Sequence, residues 1–153
     1  LTSVSSEEKE RYVIDAGADE VFNYRDSKFV ENILSSTNGV GVDRIIEVDV
    51  ASNIKTYDQI LKPKGAAIIY GTSLPVAEAP SYSFIVREAK LQWILVYELN
   101  DEQREQGVSL LNDMVVSGKL KTTISQKFSL EEVAEAHKTV EDAQHIGNVI
   151  LEI

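Results

Sequence analysis

Residues 42–48 read VDRIIEV, and this run constrains the fold more than any other feature of the chain. A β-branched, nearly continuous stretch of that length suits a strand covered on both faces, as the strands of a parallel sheet are. Parallel neighbours cannot be joined by a tight hairpin. Each needs a crossover, usually a helix.

Helical signals lie on both sides of the run. Ser5-Ser6-Glu7-Glu8 is a capping box, and the helix after it carries Tyr12, Val13 and Ala16 on one face and stops at Gly17. A short strand follows over 20–24. Arg25-Asp26-Ser27 opens a second helix with Phe29, Val30, Ile33 and Leu34 as its apolar face, and residues 37–41 form a turn-rich break. Beyond the run come a helix over 54–61 ended by Pro63 and Gly65, a buried strand over 66–70, and a loop over 74–83 holding Pro75 and Pro80. A short helix over 84–90 and a strong strand from Leu91 to Leu99 are next. Asn100 and Asp101 cap a long amphipathic helix to Ser117, with Gly118 as its stop. A weaker strand over 124–128, a second capping box at Ser129-Leu130-Glu131-Glu132 with its helix to Ala143, and a final strand over 149–153 complete the chain. Strand and helix alternate throughout, which predicts an α/β fold with a doubly wound, mostly parallel sheet.

Composition narrows the partners. Fifteen Lys and Arg stand against 25 Asp and Glu, a net charge of −10, so a nucleic acid is not expected. The apolar stretch 91–97 falls far short of the roughly 20 residues a membrane helix needs. No cysteine is present, which removes thiolate chemistry and Cys-based zinc sites, and the two histidines, His137 and His145, are too few for a His-rich metal site. No secretory leader pattern is visible, and a cytoplasmic location is expected. The first residue is Leu, and residues 1–4 read as the end of a strand, so the sequence is expected to be part of a longer chain.

A doubly wound sheet binds its ligand at the carboxyl ends of its strands. The residues to inspect are therefore Ser5 and Lys9 after the first strand, Tyr24 after the second, Asp49 to Asn53 after the third, Gly71, Thr72 and Ser73 after the fourth, and Ile94, Leu95 and Val96 in the fifth. Small, polar and Gly-containing strand ends admit a flat ligand with phosphates. Gly39-Val40-Gly41 precedes a strand instead of following one, so it reads as a turn and not as a dinucleotide loop.

The segments SSEEK, GADEVFNYRD, GVGVDRIIEV, LKPKGAAIIYGTS and LEEVAEAHKTVEDAQHIGNVIL, in that order and spacing, resemble the coenzyme-binding half of the zinc-independent medium-chain dehydrogenase/reductases, and the quinone reductase branch in particular. The resemblance covers essentially the whole chain. It implies an incomplete Rossmann-like domain whose first strand and Gly-rich loop would lie upstream of Leu1, leaving a gap between the first strand and the strand over 42–48. Residues 1–118 would be the partial NADPH-binding domain, and 119–153 a strand–helix–strand returning toward a catalytic domain. NADPH would be the cofactor, with hydride transfer to a quinone or conjugated carbonyl.

By that resemblance Ser5, Lys9 and Tyr24 would hold the adenosine 2′-phosphate; hydroxyls and a cation there replace the acidic residue of an NAD site. Asn53 would contact the cofactor, with helix N-cap as its ordinary alternative. Tyr70, Gly71, Thr72 and Ser73 would lie along the nicotinamide ribose, with Gly71 admitting a close backbone approach. Ile94, Leu95 and Val96 would offer backbone groups, their side chains being core.

There are departures. Gln144 and Asn148 stand where relatives carry Arg and Lys, Trp93 stands where Gly is usual, and Asp49 adds negative charge near an anionic ligand. His137, His145, Tyr12, Tyr57, Tyr82 and Tyr97 are expected to be structural. No catalytic residue and no metal ligand is assigned; rate enhancement would come from holding donor and acceptor together and excluding water. A homodimer through the strand from Leu91 to Leu99 is expected, because an apolar sheet edge of that length needs a cover. The other readings are a non-enzymatic structural or RNA-binding protein, or an inert isolated domain.

Overall fold

The computed structural model describes residues 1–142 and 145–153. Its elements run β1 (Thr2–Val4), α1 (Glu7–Asp15), β2 (Val21–Asn23), α2 (Phe29–Ser36), β3 (Val42–Glu47), α3 (Val50–Ile60), β4 (Leu61–Ile69), α4 (Ser81–Val86), β5 (Lys90–Trp93), α5 (Asp101–Val116), β6 (Ile124–Ser129), α6 (Val133–Glu141) and β7 (Asn148–Glu152). Two short 3-10 turns, Val96–Glu98 and Leu130–Glu132, punctuate the second half. The chain forms two compact units, Leu1–Leu99 and Asn100–Ile153.

In the first unit β1 pairs with β2, and β3, β4 and β5 form a sheet in that order, with every pair parallel. Glu47 pairs with Ile69 and Ile69 with Trp93, so β3, β4 and β5 end level. The core lies on one face of this sheet: Val50, Ile54 and Tyr57 of α3 and Phe84 of α4 pack with Ala67 and Ile69, and Ile45 and Leu91 close around them. β3 is not buried on both faces as its composition suggests. Ile46 is 68% exposed, because α3 and α4 cover only the side that carries Ile45.

β1 makes no pairing with β3 among the described residues. Between them lies a cavity of about 660 Å³, lined by Leu1, Thr2 and Ser3 on one side and Val42 to Ile46 on the other. The expected gap is present.

Several boundaries move. The cap of α1 is Ser6, whose hydroxyl accepts from the Lys9 amide at 3.4 Å, and not a box built on Ser5 and Glu8. Gly17 ends that helix with φ at +109°, a conformation Gly alone adopts without cost. α3 begins at Val50, four residues before its expected start, so Asn53 sits inside its first turn and is not its N-cap. β5 stops at Trp93; Leu95 is extended and Val96–Glu98 turns, so the strand does not reach Leu99. β5 can pair only as far as β4 runs beside it, and β4 ends at Ile69.

The second unit holds α5, the parallel pair β6–β7, and α6. Asn100 and Gln103 form a complete capping box, as do Ser129 and Glu132, and Gly118 ends α5 with φ at +68°. No residue of α5 is buried, although Leu110, Leu111 and Val115 give it apolar character. The end of the helix expected to reach Ala143 lies outside the described residues.

Candidate functional site

Two clusters form at strand ends in the first unit. At the first, the Tyr24 amide donates to the Val4 carbonyl at 3.0 Å, and Val4 is in register with Asn23. Ser5 and Tyr24 therefore leave neighbouring parallel strands side by side, and Ser6 and Lys9 open the helix that follows. The Arg25 guanidinium stands 6.0 Å from the centroid of the exposed Tyr24 ring. That cation went unread in the sequence, where Arg25 looked only like a helix opener. Its position directly after the β2 residue Asn23 and Tyr24 was the available signal.

The second cluster joins the ends of β3 and β4. The Tyr70 amide donates to the Glu47 carbonyl at 3.0 Å, and the Val50 amide to the Gly71 carbonyl at 3.2 Å. Gly71 is required here by the chain itself: a Cβ would collide with the Val48 carbonyl oxygen. Asp49 is spent as a latch and is not a bare charge. Its Oδ1 accepts from the Ser73 amide at 2.8 Å and its Oδ2 from the Ser52 hydroxyl at 2.7 Å. Those bonds, the Ser52 hydroxyl first, hold its carboxyl below the ordinary aspartate range. The Thr72 hydroxyl donates to the Leu74 carbonyl at 2.7 Å.

Beneath this loop lies a group the sequence reading missed. Glu47 is only 6% exposed, yet it is fully served. Its Oε1 accepts from the Asp49 amide at 2.6 Å and from Asn53 Nδ2 at 3.1 Å, and its Oε2 accepts from the buried Tyr57 hydroxyl at 2.7 Å. Burial first, and the Glu47 carboxylate second, push the Tyr57 phenol far above its usual range, so it stays a donor. A Glu within an apolar strand demands such partners, and that was the sequence signal. Tyr57 was expected to be structural; it is core and polar partner at once.

At the third strand end the Ile94 amide donates to the Ile69 carbonyl at 2.8 Å. Leu95 and Val96 are exposed and not core, because the chain has already left the sheet. Trp93 is exposed too.

In the second unit the Asn148 side chain donates to the Thr123 carbonyl at 3.3 Å, which the Asn148 amide also meets at 2.7 Å, so this side chain serves the turn before β6. A ring nitrogen of His145 lies 3.1 Å from the Thr139 carbonyl oxygen, and His137 is exposed. Gln144 lies outside the described residues.

A family model described as zinc-binding dehydrogenase matches residues 16–151. A quinone oxidoreductase of Lama guanicoe is 30% identical over 155 residues, covering 99% of this chain and 46% of that protein. A quinone oxidoreductase from Pseudomonas syringae superposes with a TM-score of 0.86 at 22% identity, over 100% of this chain and 49% of that one. A mycobacterial protein complexed with NADPH superposes with a TM-score of 0.83 at 22% identity, over 99% of this chain and 49% of that one. The chain spans about half the length of the curated relatives it matches.

The donor set does not fit the metal in that family description. The sequence has no Cys, and no group of three His, Asp or Glu side chains among the described residues is placed to hold an ion. It does fit a phosphorylated nucleotide. Hydroxyls and the Arg25 cation stand at the ends of β1 and β2, with Lys9 in the first turn of the helix that follows, while an exposed amide and a Gly-containing turn stand at the ends of β3 and β4.

Proposed function

The chain belongs to the zinc-binding dehydrogenase family, and on that premise we propose that it is the NADPH-holding part of an oxidoreductase that reduces a quinone or conjugated carbonyl. The observation that carries this reading is the first cluster. The Tyr24–Val4 hydrogen bond sets Ser5 beside Tyr24, with Lys9 in the following helix and Arg25 over the ring. Hydroxyls with cations suit a 2′-phosphate, whereas a carboxylate at this point suits a free 2′-hydroxyl. Asn53, Tyr70, Thr72 and Ser73 take the nicotinamide half, with backbone help from Gly71 and from Ile94, Leu95 and Val96. The cofactor supplies the hydride chemistry. The protein holds it against the acceptor and keeps water out. Residues 1–118 carry the coenzyme site, and 119–153 return toward a catalytic domain in a longer cytoplasmic chain, whose first Rossmann strand fills the cavity between β1 and β3.

The test is cofactor choice. Lys9→Ala weakens NADPH binding about tenfold or more, the size expected for a lost charge-assisted phosphate contact, and leaves NADH unchanged. Equal loss for both cofactors overturns the 2′-phosphate assignment.

The protein is a homodimer through the outer edge of β5, with the exposed Trp93 at its end and the exposed Leu95, Val96 and Tyr97 in the segment that follows. Trp93→Lys shifts a sedimenting dimer toward monomer. A wild-type monomer at tens of micromolar, roughly where a standard interface is occupied, rejects it.

A further inference from the structure

Glu47 is the buried charge of the described chain, and its partners dictate how Asn53 stands. A carboxylate accepts hydrogen bonds and donates none. The Asn53 group facing Glu47 Oε1 at 3.1 Å is therefore its NH2, and its Oδ1 turns the other way. Asn53 itself is exposed at the joined ends of β3 and β4. The Asp49 amide, 2.6 Å from the same Oε1, fixes an acceptor at that point, and the Tyr57 hydroxyl holds the far oxygen.

We infer that Glu47 is a positioning residue that pins the Asn53 nitrogen inward, so that Asn53 offers the bound nucleotide an acceptor and selects a donor, a ribose hydroxyl or amide N–H, over a phosphate oxygen. This rests on the cofactor reading above and adds the polarity of the contact. The Glu47→Gln variant retains the arrangement: its oxygen stays toward the Asp49 amide, and the Tyr57 hydroxyl rotates to accept from its NH2. Glu47→Leu abolishes the arrangement and orphans the Tyr57 hydroxyl, so it is paired with Tyr57→Phe.

The experiment measures NADPH and inorganic pyrophosphate binding to the intact protein, alongside exchange of the Asn53 side-chain amide protons by NMR. Asn53→Ala weakens NADPH about tenfold and leaves pyrophosphate unchanged. Glu47→Gln and Tyr57→Phe stay within about threefold of wild type. Glu47→Leu with Tyr57→Phe weakens NADPH about tenfold, and adding Asn53→Ala costs nothing more, since coupled residues are not additive. The Asn53 amide protons exchange slowly in wild type and Glu47→Gln, and fast once Glu47 is Leu. Losses that multiply, pyrophosphate binding that falls with Asn53→Ala, or amide exchange indifferent to Glu47 overturns the inference. A wild-type protein that ignores NADPH while its Asn53 amide is slow and Glu47-dependent overturns the cofactor reading and the ligand choice with it, and leaves the positioning role standing.

Discussion

α3 and α5 are built on opposite terms. α3 has 11 residues, no side-chain bond at its cap, and four buried residues, Val50, Ile54, Tyr57 and Ile60. α5 has 16 residues, a complete capping box from Asn100 and Gln103, and no buried residue. One helix is held by what it packs against, the other by its own end. Isolated helices of this length are marginal in water, so a cap matters most where packing is absent.

The sharpest way to break that contrast is to empty a site in each helix. Ile54→Ala destabilises the protein by about 2–5 kcal/mol in denaturant unfolding, through lost burial and the cavity left behind. Leu110→Ala, on the exposed helix, stays within about 0.5 kcal/mol. A cost at Leu110 near that at Ile54 shows that α5 is covered in the intact protein, and ends the contrast.

The next effect is at the caps. Asn100→Ala costs about 1 kcal/mol and lowers helical circular dichroism, because it orphans the Gln103 amide, which Asn100 accepts at 2.8 Å. Asp49→Ala leaves helix content unchanged, since Asp49 caps no backbone N–H of α3 and its bond into that helix goes to the Ser52 hydroxyl. Its effect falls on the Ser73 turn.

The smallest effect is acid dependence. Asp49, held by Ser52 and Ser73, and Glu132, held by the Ser129 amide and hydroxyl, both have lowered carboxyl pKa values. A folded pKa below the unfolded one gives stability that is present above the unfolded value, about 3.9 for Asp and 4.3 for Glu, and lost as pH falls through the folded value. Glu132 is exposed and Asp49 is only half-buried, so the loss is slight. Carboxyl NMR titration gives midpoints below those ordinary values, with the Ser73 amide exchanging faster once Asp49 protonates. An ordinary midpoint for Asp49 dissolves the latch.

The same contrast explains what the sequence could tell. The ends of α5 are legible because Asn100, Gln103 and Gly118 act within a turn of themselves. The start of α3 is not, because the Val50 amide is held by the Gly71 carbonyl, a group beyond β4 that no local pattern contains, and the Asp49 amide and Asn53 side chain are held by Glu47, whose burial the fold alone sets. β5 was overread for a related reason: residues 91–99 have strand composition throughout, but a strand extends only as far as its neighbour, and Ile69 ends that neighbour. The site followed the same division. Parallel strands put Ser5, Tyr24, Asn53 and Gly71 to Ser73 at their carboxyl ends by rule, so those positions could be named. Glu47 and Arg25 each carried a local signal, a charge inside an apolar strand and a cation directly after a strand end, but their partners depend on which strands end together.

The cavity between β1 and β3 bears on solubility. Residues of β1 and β3 line one open slot, with no strand paired between them among the described residues. Unpaired strand edges act as templates for any extended segment that arrives. At high concentration that segment is a strand of another copy, so the isolated chain is prone to stack edge to edge, and its working concentration is limited by this slot before its core is ever tested.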